Sequence, residues 1–252
     1  MTFDAPTGEQ IPKLLTLWKT VFGEYGGFWE MFLDTAFAQS RCRCMTENGQ
    51  ITASLCWFDC TLEGHPVAYI YAVVTRPDHR GKGLCRALMA DTHRHLWENG
   101  YAAALLVPAE KPLRAMYRKL GYRECTAVRE FTCTAENPPV PLRAIGSGEY
   151  AALRRTFLPQ NSILQEGENL KFLSQQAQFY AGTDVLLAAY QEDGILHSPE
   201  LLGNPAAAPG IVAALECNTG HFRAPGSDIP FAMYHPLTED APTPQYFGFA
   251  FD

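Results

Sequence analysis

The sequence predicts an α/β chain built on mixed sheets and divided into two domains, on three observations. Along residues 1–133 the apolar period changes from about 3.6 residues to two and back, as it does where helices and strands share one core. A glycine-rich basic loop, Arg80-Gly81-Lys82-Gly83, joins a strand-like apolar run to a helix-like one. A proline-rich break at 134–141 then separates two stretches with a similar order of elements.

Ile11, Leu14, Leu15, Trp18, Val21 and Phe22 recur at spacings of three and four, which predicts an amphipathic helix, and Thr7 with Gln10 supplies a capping box at its start. Gly26 and Gly27 break the chain, and the short loop 24–27 is expected to move. Phe28, Met31, Phe32 and Ala36 mark a second helix. From Arg41 the period becomes two. An Asn48-Gly49 turn follows the first strand, and Ile51, Ala53, Leu55 and Trp57 alternate in the next, which reads as a hairpin because Asn-Gly accepts the positive φ of a tight turn. Residues 67–74 are a continuous apolar run of strand length, residues 84–99 are helical with Gly100 just past the end, 101–107 are a buried strand, 112–120 a helix stopped by Gly121, and 122–132 a last strand.

The boundary falls in the segment holding Asn137-Pro138-Pro139 and Pro141, giving domains 1–135 and 142–252. Beyond it, 147–157 and 170–180 read as helices and 185–190 as a strand before the Glu192-Asp193-Gly194 turn. Asn204 caps a helix with Pro205 at its first position, and 229–235 and 247–251 read as strands. The order repeats that of the first half without its glycine-rich loop.

Composition narrows the function classes. A net charge of −7 argues against general binding to nucleic acid, and no apolar run reaches the eighteen or so residues of a membrane helix. The first ten residues lack the pattern of a signal peptide, so a cytoplasmic protein that binds neither nucleic acid nor membrane is expected, as a monomer or homodimer. The eight cysteines lie mostly in apolar segments and are expected as free thiols. Cys42-x-Cys44 and Cys56-x-x-x-Cys60 lack zinc-site spacing, and His93 and His95 point apart on a helix, so no metal is expected.

Chemistry concentrates after the central strand. The loop Arg76-Pro77-Asp78-His79-Arg80-Gly81-Lys82-Gly83 runs directly into a helix whose first turn offers unpaired N–H groups and the positive end of its dipole. Glycines there let a pyrophosphate approach the backbone, and the spacing matches neither a dinucleotide fingerprint nor a Walker loop. Arg80-Gly81-Lys82-Gly83-Leu84-Cys85 resembles the Arg/Gln-x-x-Gly-x-Gly/Ala motif of the GCN5-related N-acetyltransferase (GNAT) superfamily, with cysteine at the last position. Ala115-Met116-Tyr117-Arg118-Lys119-Leu120-Gly121-Tyr122 resembles the family's Ala-x-x-x-Tyr-x-x-x-Gly-Phe/Tyr ending.

The resemblance implies a GNAT fold over residues 1–133 followed by a degenerate GNAT-like domain. It implies acetyl-CoA as co-substrate, held by Val73, Val74, Thr75, Arg80, Gly81, Lys82, Gly83, Leu84, Cys85 and Arg86, with Val74 N–H at the thioester carbonyl and Tyr117 as general acid. The acceptor implied is a primary amine, foremost of a small molecule. Leu106 stands where the family often has a glutamate base, and Glu110 where it has an asparagine. Glu24, Glu63, His65 and the C-terminal Asp252 are the candidate bases. The alternative is a sensor or interaction module that binds acetyl-CoA or CoA without turnover.

Overall fold

The computed structural model describes residues 1–24 and 26–251. In chain order the elements are β1 (Thr2–Asp4), α1 (Ile11–Phe22), α2 (Phe28–Thr35), β2 (Cys42–Glu47), β3 (Gln50–Leu62), β4 (His65–Thr75), α3 (Leu84–Glu98), β5 (Ala103–Leu106), α4 (Lys111–Arg118), β6 (Arg123–Glu124) and β7 (Ala127–Thr134). They continue as β8 (Arg143–Ile145), α5 (Ser147–Phe157), β9 (Leu164–Gln165), α6 (Glu168–Leu173), β10 (Gln178–Ala181), β11 (Val185–Glu192), β12 (Ile195–Gly203), α7 (Ala208–Ala214), β13 (Thr219–Pro225), β14 (Ile229–Pro230) and β15 (Met233–Pro236).

Two sheets result. The first runs β1-β2-β3-β4-β5-β15-β6 and the second β8-β10-β11-β12-β13-β7-β14. Leaving aside the two-residue β9, the series β1-α1-α2-β2-β3-β4-α3-β5 recurs as β8-α5-α6-β10-β11-β12-α7-β13. In each sheet the fourth and fifth strands of that path, β4/β5 and β12/β13, run parallel, each pair joined through a helix. The second half is thus the same design laid out again.

Local signals account for most elements. Gln10 Oε1 accepts from the Thr7 N–H at 2.8 Å where the chain enters α1. Asn48 and Gly49 take positive φ in the β2–β3 turn, as Asp193 and Gly194 do between β11 and β12. Asn204 Oδ1 caps the turn that leads into α7. The expected motion of the 24–27 loop rests partly on Tyr25, which lies outside the described residues.

The two compact units do not follow the linear division expected at 135 and 142. The first comprises 1–123, 167–172 and 233–242, and the second 124–166, 173–232 and 243–252. The expected last strand of the first domain, 122–132, divides at Thr126. Its longer part, β7, lies between β13 and β14 in the second sheet, and β15 from far along the chain takes the place beside β5. A strand's own residues say which face is buried, not which edge it joins, so the exchange leaves no local trace.

Two other expectations change. The helix expected over 170–180 ends at Leu173, because Gln178–Ala181 pairs with β8 on one side and β11 on the other. Residues 247–251 form no strand, although Phe247, Phe249 and Phe251 are buried. The Gln165 amide does the work of a neighbouring strand, donating from Nε2 to the Phe249 carbonyl at 2.7 Å and accepting the Phe249 N–H at 3.2 Å. The same segment passes a buried ion pair: Arg154 Nε and Nη2 donate to Glu200 at 2.7 and 2.9 Å, and Tyr150 and Tyr246 hydroxyls donate to it at 2.7 and 3.2 Å. A Cβ on Gly248 would overlap the Glu200 carboxylate, so only glycine lets the chain pass there.

Candidate active site

The first unit's core packs α3 and α4 against one face of its sheet through Leu55, Trp57, Ile70, Leu84, Leu88, Met89, Leu96 and Tyr117. This packing fixes the start of α3 next to the C-terminal end of β4. Gly81 (φ 76°) and Gly83 (φ 79°) both lie in the left-handed region, and Gly83 is the N-cap of α3 with no side chain capping it. A Cβ built on either glycine meets nothing within 4 Å. The space above the helix start is therefore open, and the amides of Leu84, Cys85 and Arg86 have no partner within the helix. A diphosphate fits this cradle.

Charge supports the same conclusion. Asp78, the acidic residue of the loop, is hydrogen-bonded to His79 at 2.9 Å and to Arg76 at 2.8 and 3.1 Å, and these partners hold its carboxyl down to about 2. It is therefore already neutralised. Arg80, Lys82 and Arg86 are exposed and have no ion-pair partner among the described residues, while Arg80 Nε reaches only the Thr75 carbonyl, at 3.4 Å. Cys85 is half-buried, and burial raises its thiol's pKa, so it packs as a small neutral side chain.

The strand beside the loop is open along one edge. β4 pairs with β5 only from Val67 to Tyr69, yet β4 continues to Thr75. Ala72 has φ 51°, and the register against β3 slips between Tyr71 and Val74, so Ala72 and Val73 together oppose Leu55. This bulge turns the strand where its partner has left it. Val73, Val74 and Thr75 thus sit immediately before the cradle on the part of β4 that pairs with β3 on one side and has no β5 partner on the other, and backbone groups on that open edge are available to an extended ligand. The bulge had no signal in the sequence.

Tyr117 is 6% exposed on α4, in edge contact with Tyr122 at 5.8 Å between ring centroids. Burial raises its phenol well above the ordinary value, so it carries its proton at neutral pH. No hydrogen bond ties its hydroxyl to any described residue, and Cys85 of the helix start lies within electrostatic reach. Behind it, the ring of His235 on β15 stacks on His93 at 4.2 Å and leaves no room for a Cβ on Gly121, which explains the glycine four residues after Tyr117. His235 went unrecognised in the sequence because it reaches this site through the exchanged strand.

His93 provides a stability test. Its Nε2 is 2.9 Å from the Tyr122 hydroxyl, and burial, helped by His235, lowers its pKa to about 3. The folded state therefore refuses a proton that the unfolded chain accepts below about pH 6.5, so stability is full above that pH and is lost as pH falls toward 3. Between pH 7.5 and 5.5 the loss from this group is about 1.4 kcal/mol. Denaturant titrations at the two pH values should show a slope that is flatter by this amount in His93→Gln.

The candidate bases do not gather here. Glu63 and His65 sit at the turn into β4, and eight strand steps of about 3.3 Å each separate His65 from Val73. Glu24 is exposed and paired with Lys19 at 2.7 Å. Leu106 is buried opposite Met233, and Glu110 is the exposed N-cap of α4. Asp252 lies outside the described residues. All eight cysteines are free thiols, and among the described residues no group of three or more His, Cys, Asp or Glu is arranged to hold a metal. Among the described residues no helix is long and apolar enough to cross a membrane.

A family model described as an acetyltransferase (GNAT) domain matches residues 2–125, which include the cradle, the splayed strand and Tyr117. The matched segment is a GNAT domain. N-acetyltransferase Eis of Mycobacterium tuberculosis is 36% identical over 67 residues, 27% of this chain and 16% of Eis, so the match spans about a sixth of that relative. Among solved structures, GCN5-related N-acetyltransferases from Anabaena variabilis and Kribbella flavida superpose with TM-scores of 0.76 and 0.72 at 15% and 18% identity. Each alignment covers 94% of this chain, with 73% of the first and 72% of the second. A tandem GNAT protein from the clavulanic acid biosynthesis pathway gives 0.58 at 11% identity, covering 95% of this chain and 99% of its own. The shared feature is the fold: a GNAT domain followed by a second, degenerate GNAT-like domain. The family of this domain uses acetyl-CoA.

Proposed function

We propose that this GNAT protein transfers an acetyl group from acetyl-CoA to the primary amine of a small molecule. The observation that carries this is the cradle at Gly81 and Gly83 opening directly onto the unpaired edge of β4, with a protonated, buried tyrosine beside it. Arg80, Lys82, Arg86 and the α3 amides hold the diphosphate, and residues 73–75 offer backbone groups to the pantetheine arm. The Val74 N–H polarises the thioester carbonyl. A neutral amine nitrogen attacks the thioester carbon, the C–S bond breaks and the departing sulfur takes the Tyr117 proton, while the acylated nitrogen gives up one proton to water and the Tyr117 phenolate regains one from solvent. With a thiol of pKa near 8.5 as leaving group, the protein's main task is positioning. The negative net charge favours a cationic acceptor.

Calorimetric titration with CoA and acetyl-CoA, followed by a screen of amines with released thiol as readout, tests this. Heat on binding and turnover on at least one amine are expected, and no heat would remove the site. Binding without turnover on any amine would instead support a CoA-responsive sensor, the reading that buried Leu106 in place of a carboxylate favours. In the same assay Gly83→Val should weaken CoA binding about tenfold or more, because a branched residue is strained at φ 79° and its side chain enters the phosphate cradle.

A further inference from the structure

The second unit carries its own crevice at the place where the first unit splays β4 from β5. β12 pairs with β13 only from Ile195 to Ser198, after which both strands continue apart, and the register against β11 slips between His197 and Glu200. The geometry of β4 and β5 is therefore repeated, bulge included. What is missing is the phosphate cradle: the turn into α7 begins Asn204-Pro205, with the Asn204 side chain already capping the amide of Ala206. A nucleotide diphosphate has no seat there.

The crevice is nonetheless built. A cavity of about 610 Å³ lies over this end of the sheet, lined entirely by residues of the second unit. Its floor is a row of four directly opposed side chains: Tyr190 of β11, His197 of β12, His221 of β13 and Thr132 of β7. All four project from the face opposite the α7 core, since their neighbours Ala189, Leu196 and Phe222 belong to that core and Phe131 and Cys133 pack against it. Tyr190 stacks on His197 at 5.0 Å and 10° between planes, and His221 meets His197 edge-on at 5.1 Å. One row on, Arg223 pairs with Glu130 at 3.0 Å and lies over the Phe231 ring.

Hydrogen-bonding capacity decides the ligand. Among the described residues the lining carboxylate, Glu130, is already engaged by Arg223 through Nε, which leaves the guanidinium's outer nitrogens, two imidazoles and the Tyr190 and Thr132 hydroxyls at the cavity. Guanidinium nitrogens only donate, and imidazole and hydroxyl groups donate readily. The Tyr190–His197 pair adds a flat apolar plate. We infer that this cavity of the second unit binds a small molecule that joins an oxyanion to a planar ring, the oxyanion against Arg223 and His221 and the ring on Tyr190.

Titration of the full chain with benzoate, phenyl phosphate and benzyl alcohol, followed through the imidazole proton resonances, tests this and separates carboxylate from phosphate. His197→Gln and His221→Gln identify the signals. At least one anion is expected to shift both resonances to saturation, the neutral alcohol to shift neither, and Arg223→Gln to weaken that anion at least tenfold. Calorimetry with CoA on Arg223→Gln, expected to match the parent, shows that the variant is folded. An absence of saturable shifts with either anion, equal shifts with the alcohol, or full affinity in Arg223→Gln would overturn the assignment.

Discussion

Replacing Tyr117 with phenylalanine should lower turnover by about 10²-fold or more, with little change in CoA affinity. In the proposed reaction the phenol is the proton donor to the departing sulfur. Burial keeps it protonated, and no described residue competes for its hydrogen, so its removal costs little in folding. The ring remains to pack on Tyr122 and the residues around it. Steady-state kinetics with the best acceptor, paired with calorimetry for CoA, separates the two effects. A fall in kcat with unchanged CoA binding supports proton donation, whereas unchanged kcat would remove Tyr117 from the reaction.

The largest effect on folding should come from Glu200→Ala, which leaves the Arg154 guanidinium buried without its counter-charge. Both side chains are almost wholly enclosed, and two tyrosine hydroxyls also lose their acceptor. Breaking one side of such a pair costs about 3–5 kcal/mol, a large share of a domain's stability. Replacing both partners, as in Arg154→Met with Glu200→Leu, should cost less than the single change, because no bare charge remains. Denaturant midpoints of parent, single and double variants check this, and a double variant less stable than Glu200→Ala would show that the pair contributes through geometry rather than charge balance.

Much of the fold was legible wherever the signal was local. The spacing from Ile11 to Phe22, the Asn48-Gly49 turn and the glycines around α3 each constrain their own neighbours, and the structure has the helix, turn and loop they demand. Pairing was not legible. Nothing in Ala127–Thr134 says that it joins β13, and nothing in Met233–Pro236 says that it joins β5. Residues 247–251 misled for another reason: aromatic alternation reports burial, and here Gln165 supplies the hydrogen bonds that a strand neighbour normally gives. At the site, Gly81, Gly83 and Tyr117 stood out by residue type, while the Ala72 bulge and the His93–His235 stack behind Gly121 depend on backbone conformation and distant chain. The base stayed hidden because carboxylates carry no local mark of which cleft they face.

The trade of β7 for β15 bears on how the molecule is made. During synthesis from the N-terminus, β5 emerges long before the segment that covers its free side, so the growing polypeptide must hold an apolar strand with an open edge until residues 233–236 leave the ribosome. A gene fragment cut at the proline-rich segment would keep that edge open permanently and carry β7 without its sheet. Such a fragment should collect as aggregate, and a productive shorter version needs residues 233–242 grafted back.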